Sequence, residues 1–275
     1  MHMVDVPPAS LRHHLTLSVV SHGHGPLLRQ MLADLNALPN IAGTKVVVTL
    51  NLASEPFDPA PYGALKVVVV RNPRPKGFGA NHNRAFAACD TPWFAILNPD
   101  LRFAQPDCFD RLLEEAAANP GYALLAPVIT NSAGGVEDAV RGNLTLQSLL
   151  RRRRLGARTA ALQADRTPRP GQPFYWLAGM FLMVRSSAFQ AVGGFDERYF
   201  LYCEDYDLSA RLFNAGHALV QVQGAIAIHD AQRDSRRSLK HLGLHLSSLA
   251  KVWASPAFWR VRSEEHTSEL QSPLN

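Results

Sequence analysis

The chain is poor in cysteine: it has three, Cys89, Cys108 and Cys203, in 275 residues. Three thiols cannot staple a fold of this size, and no spacing among them matches a zinc site. A disulfide scaffold and a zinc module are therefore excluded, and the odd count suits a reducing compartment. Long apolar runs are also missing; none reaches the roughly 20 residues that a membrane-spanning helix needs. The first twelve residues hold Asp5, Pro7 and Pro8 and no apolar centre, so they do not read as a signal peptide. The expected location is the cytoplasm. Charged side chains are scarce, at 19% against 47% hydrophobic, which excludes a disordered chain and allows a sizeable core. A net charge of +5 leans toward anionic partners.

Short apolar, β-branched runs at 15–20, 45–50, 66–70, 93–97 and 122–128 read as strands. Helical spacing falls between them at 27–38, 80–89 and 107–119. This alternation implies βαβ units and a mostly parallel sheet flanked by helices, an α/β fold. The runs at 45–50 and 66–70 are nearly all apolar, as expected of strands covered on both faces. The pattern changes after Asn131. Gly134-Gly135 suggests a turn. The stretch 144–169 carries Arg151 to Arg154, Arg158, Arg166 and Arg169 against a single acid, Asp165. It reads either as a solvated loop or as a patch for a membrane surface or an anionic substrate.

Order returns over 174–185. A short helix is expected at 187–192, a longer one at 204–215 with Gly216 as its cap, and a short strand at 225–228. A last helix, 235–253, spaces Leu239, Leu242, Leu246 and Leu249 along one side. Residues 262–272 resemble the translation of a sequencing-library adapter, so 262–275 is set aside as a foreign tail. With no repeat and no linker visible, the expected organisation is one domain over 1–261, with its core at about 15–230.

Four clusters carry chemistry, and three follow strands, where open α/β sheets bind ligands. Ser21-His22-Gly23-His24-Gly25 follows the first; alone it is an ordinary tight turn. Residues 71–84 follow the third. They combine Arg71, Asn72, Arg74, Lys76, Gly77, Gly79, Asn83 and Arg84 at a helix start, a plausible diphosphate cradle in which glycines let backbone approach a ligand. Asn98-Pro99-Asp100 follows the fourth. Its carboxylate could hold Mg²⁺ or Mn²⁺ together with substrate phosphates, or could simply cap a turn. Glu204-Asp205-Tyr206-Asp207 opens a helix. Acids there suit the helix dipole, but the apolar approach from Phe195 to Tyr202 could raise a carboxyl's pKa and make it a general base. His229 follows the last strand and is by itself more ordinary as a structural residue.

Taken in order, Gly77-Phe78-Gly79-Ala80-Asn81-His82-Asn83-Arg84, Asn98-Pro99-Asp100, Trp176-Leu177-Ala178-Gly179, Val192 to Glu197 and Phe200 to Arg211 resemble the family 2 glycosyltransferases of GT-A fold. The likeness is to their rhamnosyltransferase-like branch and spans about 15–229. The resemblance implies a metal-dependent, inverting transfer from a nucleoside-diphosphate sugar, with dTDP-rhamnose as the best guess. The implied acceptor is a glycan or a lipid-linked precursor of cell-surface polysaccharide, and that setting implies peripheral contact at the inner membrane face. It assigns Asp205, with Glu204 beside it, as the base, Asp100 and His229 as metal ligands, and Trp176 and Gly179 to the acceptor side. Ser21, His22, Asn51, Glu55, Asn72, Gly77, Gly79, Asn83, Arg84, Asn98 and Arg211 fall to the donor side, where Arg211 faces the pyrophosphate or else only pairs with Asp207.

Two departures stand out. Leu50 occupies a place where the family often has a base-reading Asp, which shifts that role to Asn51 or Glu55. Ser21-His22-Gly23 replaces the commoner Ser-Tyr-Asn. The rival readings are a catalytically degenerate binding module, to which Leu50 and Asn98 give weight, and a sugar nucleotidyltransferase, whose glycine- and arginine-rich loop is missing after the first strand. A nucleic-acid binder is not expected, because the arginine stretch lacks interleaved aromatics.

Overall fold

The computed structural model describes residues 10–155, 174–230 and 239–271. Strands β1 (Leu15–Ser21), β2 (Lys45–Leu50), β3 (Lys66–Arg71) and β4 (Trp93–Leu97) alternate with helices α1 (Gly25–Asn36) and α2 (Phe78–Phe86). A two-residue β5 (Leu101–Arg102), α3 (Cys108–Ala118) and β6 (Tyr122–Thr130) follow. Next come β7 (Val140–Gly142), α4 (Leu146–Leu155), β8 (Tyr175–Leu177), β9 (Phe181–Arg185) and α5 (Ser186–Ala191). The chain closes with α6 (Glu204–Asn214), β10 (Ala218–His229), α7 (Leu239–Ala254) and α8 (Pro256–Gln271).

Eight strands form one sheet in the order β3-β2-β1-β4-β9-β6-β10-β5, and β7 pairs with β8 in a small second ribbon. β1 to β4 are mutually parallel, as are β6 and β10, but β9 runs antiparallel between β4 and β6. The sheet is therefore mixed and mostly parallel. Side chains alternate between its faces. Leu15, Leu17 and Val19 of β1 and Val46, Val48 and Leu50 of β2 join one apolar cluster, while Val47, Phe94 and Ile96 join the other. Burial on both faces explains why β4 reads as an unbroken apolar run and β2 as a nearly unbroken one.

Four expectations change. β3 is the sheet's edge and not a doubly covered strand: Val69 is 36% exposed. Its charged ends, Lys66 and Arg71, are the usual protection of such an edge. The short strand at 225–228 is the end of a twelve-residue β10, whose register shifts between Val222 and Ile226. A bulge at Gln223 and Gly224 breaks the apolar pattern there. Part of the expected arginine-rich loop is helix α4, and Arg158, Arg166 and Arg169 lie outside the described residues. The leucine stripe of the last helix faces inward only at Leu249, which packs against the second cluster; Leu242 and Leu246 of α7 are 55% and 60% exposed, and the side chain of Leu239 is outside the described set. The cap at Gly216 is as read, with φ +83° and its N–H donating to the Phe213 carbonyl at 2.9 Å.

Among the described residues no helix is long and apolar enough to cross a membrane. Helix α8 packs Phe258 and Val261 into the second cluster, then runs on past residue 262.

Candidate active site

The carboxyl ends of β1, β2, β4 and β10 meet on one side of the sheet. β5 decides which residues meet there. Leu101 pairs with His229 and Arg102 with Ile228, and the Asp230 N–H donates to the Asp100 carbonyl at 2.9 Å. This two-residue ladder brings together residues 129 positions apart in sequence. His229 Nε2 stands 3.2 Å from Asp100 Oδ2, while its Nδ1 meets Glu137 Oε2 at 2.8 Å. Burial lowers the His229 pKa, but hydrogen bonds and charge from Asp100 and Glu137 outweigh it, and the net direction is up. The other Asp100 oxygen, Oδ1, is buried without a hydrogen-bond partner. Glu137, absent from the sequence reading, is fixed by its N–H donating to the Ile129 carbonyl at 2.7 Å, just past β6. Carboxylate–imidazole contact of this kind sets a ligating histidine's tautomer and orientation.

The acids at the start of α6 are placed differently. Asp205 Oδ2 accepts the Gly179 N–H at 2.8 Å, and Oδ1 accepts the Tyr206 N–H at 2.9 Å. Burial pushes the Asp205 carboxyl up, opposed by the Gly179 N–H and by the charge of Arg141; the net shift is upward. Burial and then the Asp205 charge push Glu204 up to about 8. Glu204 Oε2 is buried and unpartnered, and both adjacent carboxyls hold a proton more tightly than free acids do. Arg141 is a second residue the sequence reading missed. Its guanidinium lies over the Trp176 ring at 5.1 Å and its Nε donates to the Asp138 carbonyl at 2.9 Å. Trp176 itself is buried, with its indole N–H on the Gly142 carbonyl at 2.9 Å, so it forms the wall behind Arg141.

The donor-side residues form a buried polar lattice beneath the loops. Asn72 Nδ2 donates to Asn51 Oδ1 at 2.8 Å and to Asn81 Oδ1 at 2.6 Å, and Arg84 Nη1 donates to Asn72 Oδ1 at 2.7 Å. Asn51 also clamps Lys76, accepting its N–H at 2.8 Å and donating to its carbonyl at 3.0 Å. His22, at the exposed lip, meets Asn51 Nδ2 at 3.2 Å through Nδ1. The Glu55 carboxylate is nearly fully buried; it accepts the Ser21 hydroxyl and, at 2.9 Å, the Gly23 N–H. Buried amides satisfied in this way rigidify a loop. Asn98 belongs to the strand end itself, donating its N–H to the Met180 carbonyl at 3.0 Å.

Four of the residues assigned to the donor side have structural partners of their own. Gly77 and Gly79 are required by close packing. A Cβ on Gly77 would lie 2.8 Å from the Phe200 carbonyl oxygen, and one on Gly79 would lie 2.6 Å from Phe195 Cβ. Asn83 clamps the turn after α5: it accepts the Phe195 N–H and donates to its carbonyl, both at 2.8 Å. The Arg211 guanidinium is taken up by Asp207 Oδ2 at 2.7 Å and by the Val192 carbonyl at 2.6 Å, so of its two readings the pairing with Asp207 holds. Replacing Gly79 with Ala should therefore cost about 1–3 kcal/mol through overpacking. A lowered melting temperature checks this against Gly63→Ala, where no atom lies within 4 Å of the added Cβ.

His82 lies buried under the site, with Nδ1 on the Ser18 hydroxyl at 2.8 Å; burial lowers its pKa to about 3, so it stays neutral. Among the described residues, no group of three or more His, Cys, Asp or Glu is placed to hold a metal ion.

Comparison with known proteins places this geometry. The description Glycosyl transferase family 2 matches residues 49–180. The chain is 31% identical to an N-acetylglucosaminyl-diphospho-decaprenol L-rhamnosyltransferase of Mycobacterium tuberculosis, over 90% of this chain and 89% of that protein. It is 29% identical to Rhamnosyltransferase WbbL of Escherichia coli K12, over 93% and 98%. Among solved structures, a mannosyltransferase of Pyrobaculum calidifontis, in complex with GDP-Man and Mn²⁺, superposes with a TM-score of 0.63 at 15% identity, covering 97% of this chain and 73% of that one. Staphylococcus aureus TarS 1-349, in complex with UDP, gives 0.59 at 12% identity, covering 95% and 67%. These likenesses establish the GT-A-like fold. Together with the rhamnosyltransferase identities over nine-tenths of the chain, they show that this chain belongs to glycosyl transferase family 2.

Proposed function

We propose that this glycosyltransferase moves rhamnose from dTDP-rhamnose to a hydroxyl of a lipid-linked glycan, with inversion, using Asp205 as base. The observation that carries the reading is Asp205 itself: a carboxylate with a raised proton affinity, aimed by the Gly179 and Tyr206 N–H groups. Such a group accepts a proton well near neutral pH. The acceptor oxygen, losing its proton to Asp205, forms a bond to the anomeric carbon as the bond to the diphosphate oxygen breaks on the opposite face. No covalent protein intermediate is needed. The charge of Arg141 favours the ionised form of Asp205 against the burial that opposes it.

Asp100 and His229 fit a divalent ion. One carboxylate oxygen is buried and unpartnered, and one imidazole nitrogen faces the same carboxylate at 3.2 Å. Two protein ligands plus diphosphate oxygens and water are the usual shell for Mg²⁺ or Mn²⁺. Such an ion would neutralise the charge that develops on the departing nucleoside diphosphate. Glu137 fixes the His229 ring for that task. Asn51 and Glu55 shape the nucleobase side by ordering the loops after β2 and β1.

The lipid-linked acceptor and a place at the inner membrane face rest on the Mycobacterium relative's printed substrate and on the exposed leucines Leu146, Leu150, Leu242 and Leu246. We read residues 1–261 as one catalytic domain and 262–275 as foreign. The donor is tested by calorimetry of dTDP, UDP and GDP with Mn²⁺ on the chain truncated after Val261. Selective dTDP binding supports rhamnose transfer, and preference for UDP or GDP replaces it.

A further inference from the structure

Tyr202 and Cys203, immediately before the catalytic acids, both adopt left-handed backbone, with φ +73° and +66°. Two adjacent non-glycine residues hold that conformation only where their surroundings impose it. The surroundings here come from α7. His241 Nδ1 meets the Tyr202 hydroxyl at 2.8 Å, and the His245 ring stacks on the Tyr202 ring at 3.7 Å and 10°. Ser248 donates to the Leu201 carbonyl at 2.9 Å, and Lys251 donates to the Arg198 carbonyl at 2.6 Å. The four are spaced by four, three and three residues, which puts them on one face of the helix. That face grips residues 198–203, while Leu242 and Leu246 point outward. Polar side chains thus make the contacts to this loop, beside the apolar contacts of Leu249 and Val252 with the second cluster.

The gripped loop reaches both halves of the site. At Phe200 its carbonyl accepts the Phe78 N–H at 2.9 Å, against Gly77 of the donor-side loop. At Cys203 it becomes the first residue flanking α6, two positions from Asp205.

We infer that α7 is a brace for the base: His241, His245 and Ser248 are positioning residues that hold residues 198–203 so that Asp205 meets the acceptor hydroxyl. This rests on Asp205 being the base. A misplacement of about 1 Å at a reacting group can cost about 10²-fold in rate. The His241→Ala/His245→Ala double variant should therefore lose about that factor in kcat. Transfer is followed from dTDP-rhamnose to N-acetylglucosaminyl-diphospho-decaprenol. The KM for the donor and the melting temperature should stay near those of the unaltered chain. His245→Phe, which keeps a ring on Tyr202, should recover most of the rate.

Hydrogen exchange at residues 201–206 gives a readout independent of substrate choice, and the double variant should exchange faster there. Unchanged protection, unchanged kcat, or a loss shared equally by kcat, donor KM and melting temperature would overturn the brace. Asp205→Asn is run alongside. If it turns over normally, the base reading falls first; if it is inactive while the double variant is unaffected, the brace alone falls.

Discussion

Asp205→Asn should leave nucleotide binding intact and lower transfer by about 10³-fold, within the range that general bases contribute. The amide can still accept the Gly179 N–H through its oxygen, which keeps the contact across to that loop, while the Tyr206 N–H loses its acceptor. What is lost is the lone pair that takes the acceptor's proton. A pH profile sharpens the expectation. The base works only when ionised, and its pKa lies above the ordinary 3.8. Activity of the unaltered chain should therefore decline as pH falls through that raised value, on an acid limb placed higher than a free aspartate would give. Any residual rate in Asp205→Asn should lack that limb. Steady-state kinetics with calorimetric binding of dTDP separates the two effects: kcat falls and nucleotide affinity does not.

Asp100→Ala should do the opposite. It removes the carboxylate that His229 faces and, in the proposed metal site, one of the two protein ligands. Mn²⁺-dependent binding of dTDP should disappear, while the weaker metal-independent component persists. The effect on kcat/KM should be at least about 10²-fold, because a bound ion supplies several kcal/mol of charge stabilisation to the departing group. Calorimetry with and without Mn²⁺ checks it. Equal nucleotide affinity in both conditions, for both proteins, would remove Asp100 from the metal site. The histidine would then be left as a structural partner of Asp100 and Glu137.

The strands that line the site were legible because burial on both faces leaves an unmistakable apolar run, as at 45–50 and 93–97. The acids were legible because Asp100 and Asp205 sit at element ends, where local sequence marks a turn or a helix start. What was not legible depends on distant pairing. Nothing local announces that β9 inserts antiparallel between β4 and β6, or that a two-residue β5 carries Asp100 to His229. Glu137 and Arg141 are single charges in an irregular stretch, and only the fold gives them partners. Gly77 and Gly79 were rightly singled out as places of close approach. A glycine says that something comes close, and here it is the Phe195 and Phe200 segment, more than 100 residues away. Helix α7 misled most, since regular leucine spacing usually marks the buried side. Here Leu242 and Leu246 face outward, while His241 and His245 contact Tyr202.

The central claim is a single displacement at the anomeric carbon assisted by Asp205. The most direct test is the anomeric configuration of the product, read by NMR after the chain acts on dTDP-rhamnose and N-acetylglucosaminyl-diphospho-decaprenol. The account predicts a rhamnoside of configuration opposite to the donor's, formed by the unaltered chain and not by Asp205→Asn. A product that keeps the donor's configuration, or one formed equally well by Asp205→Asn, would contradict it.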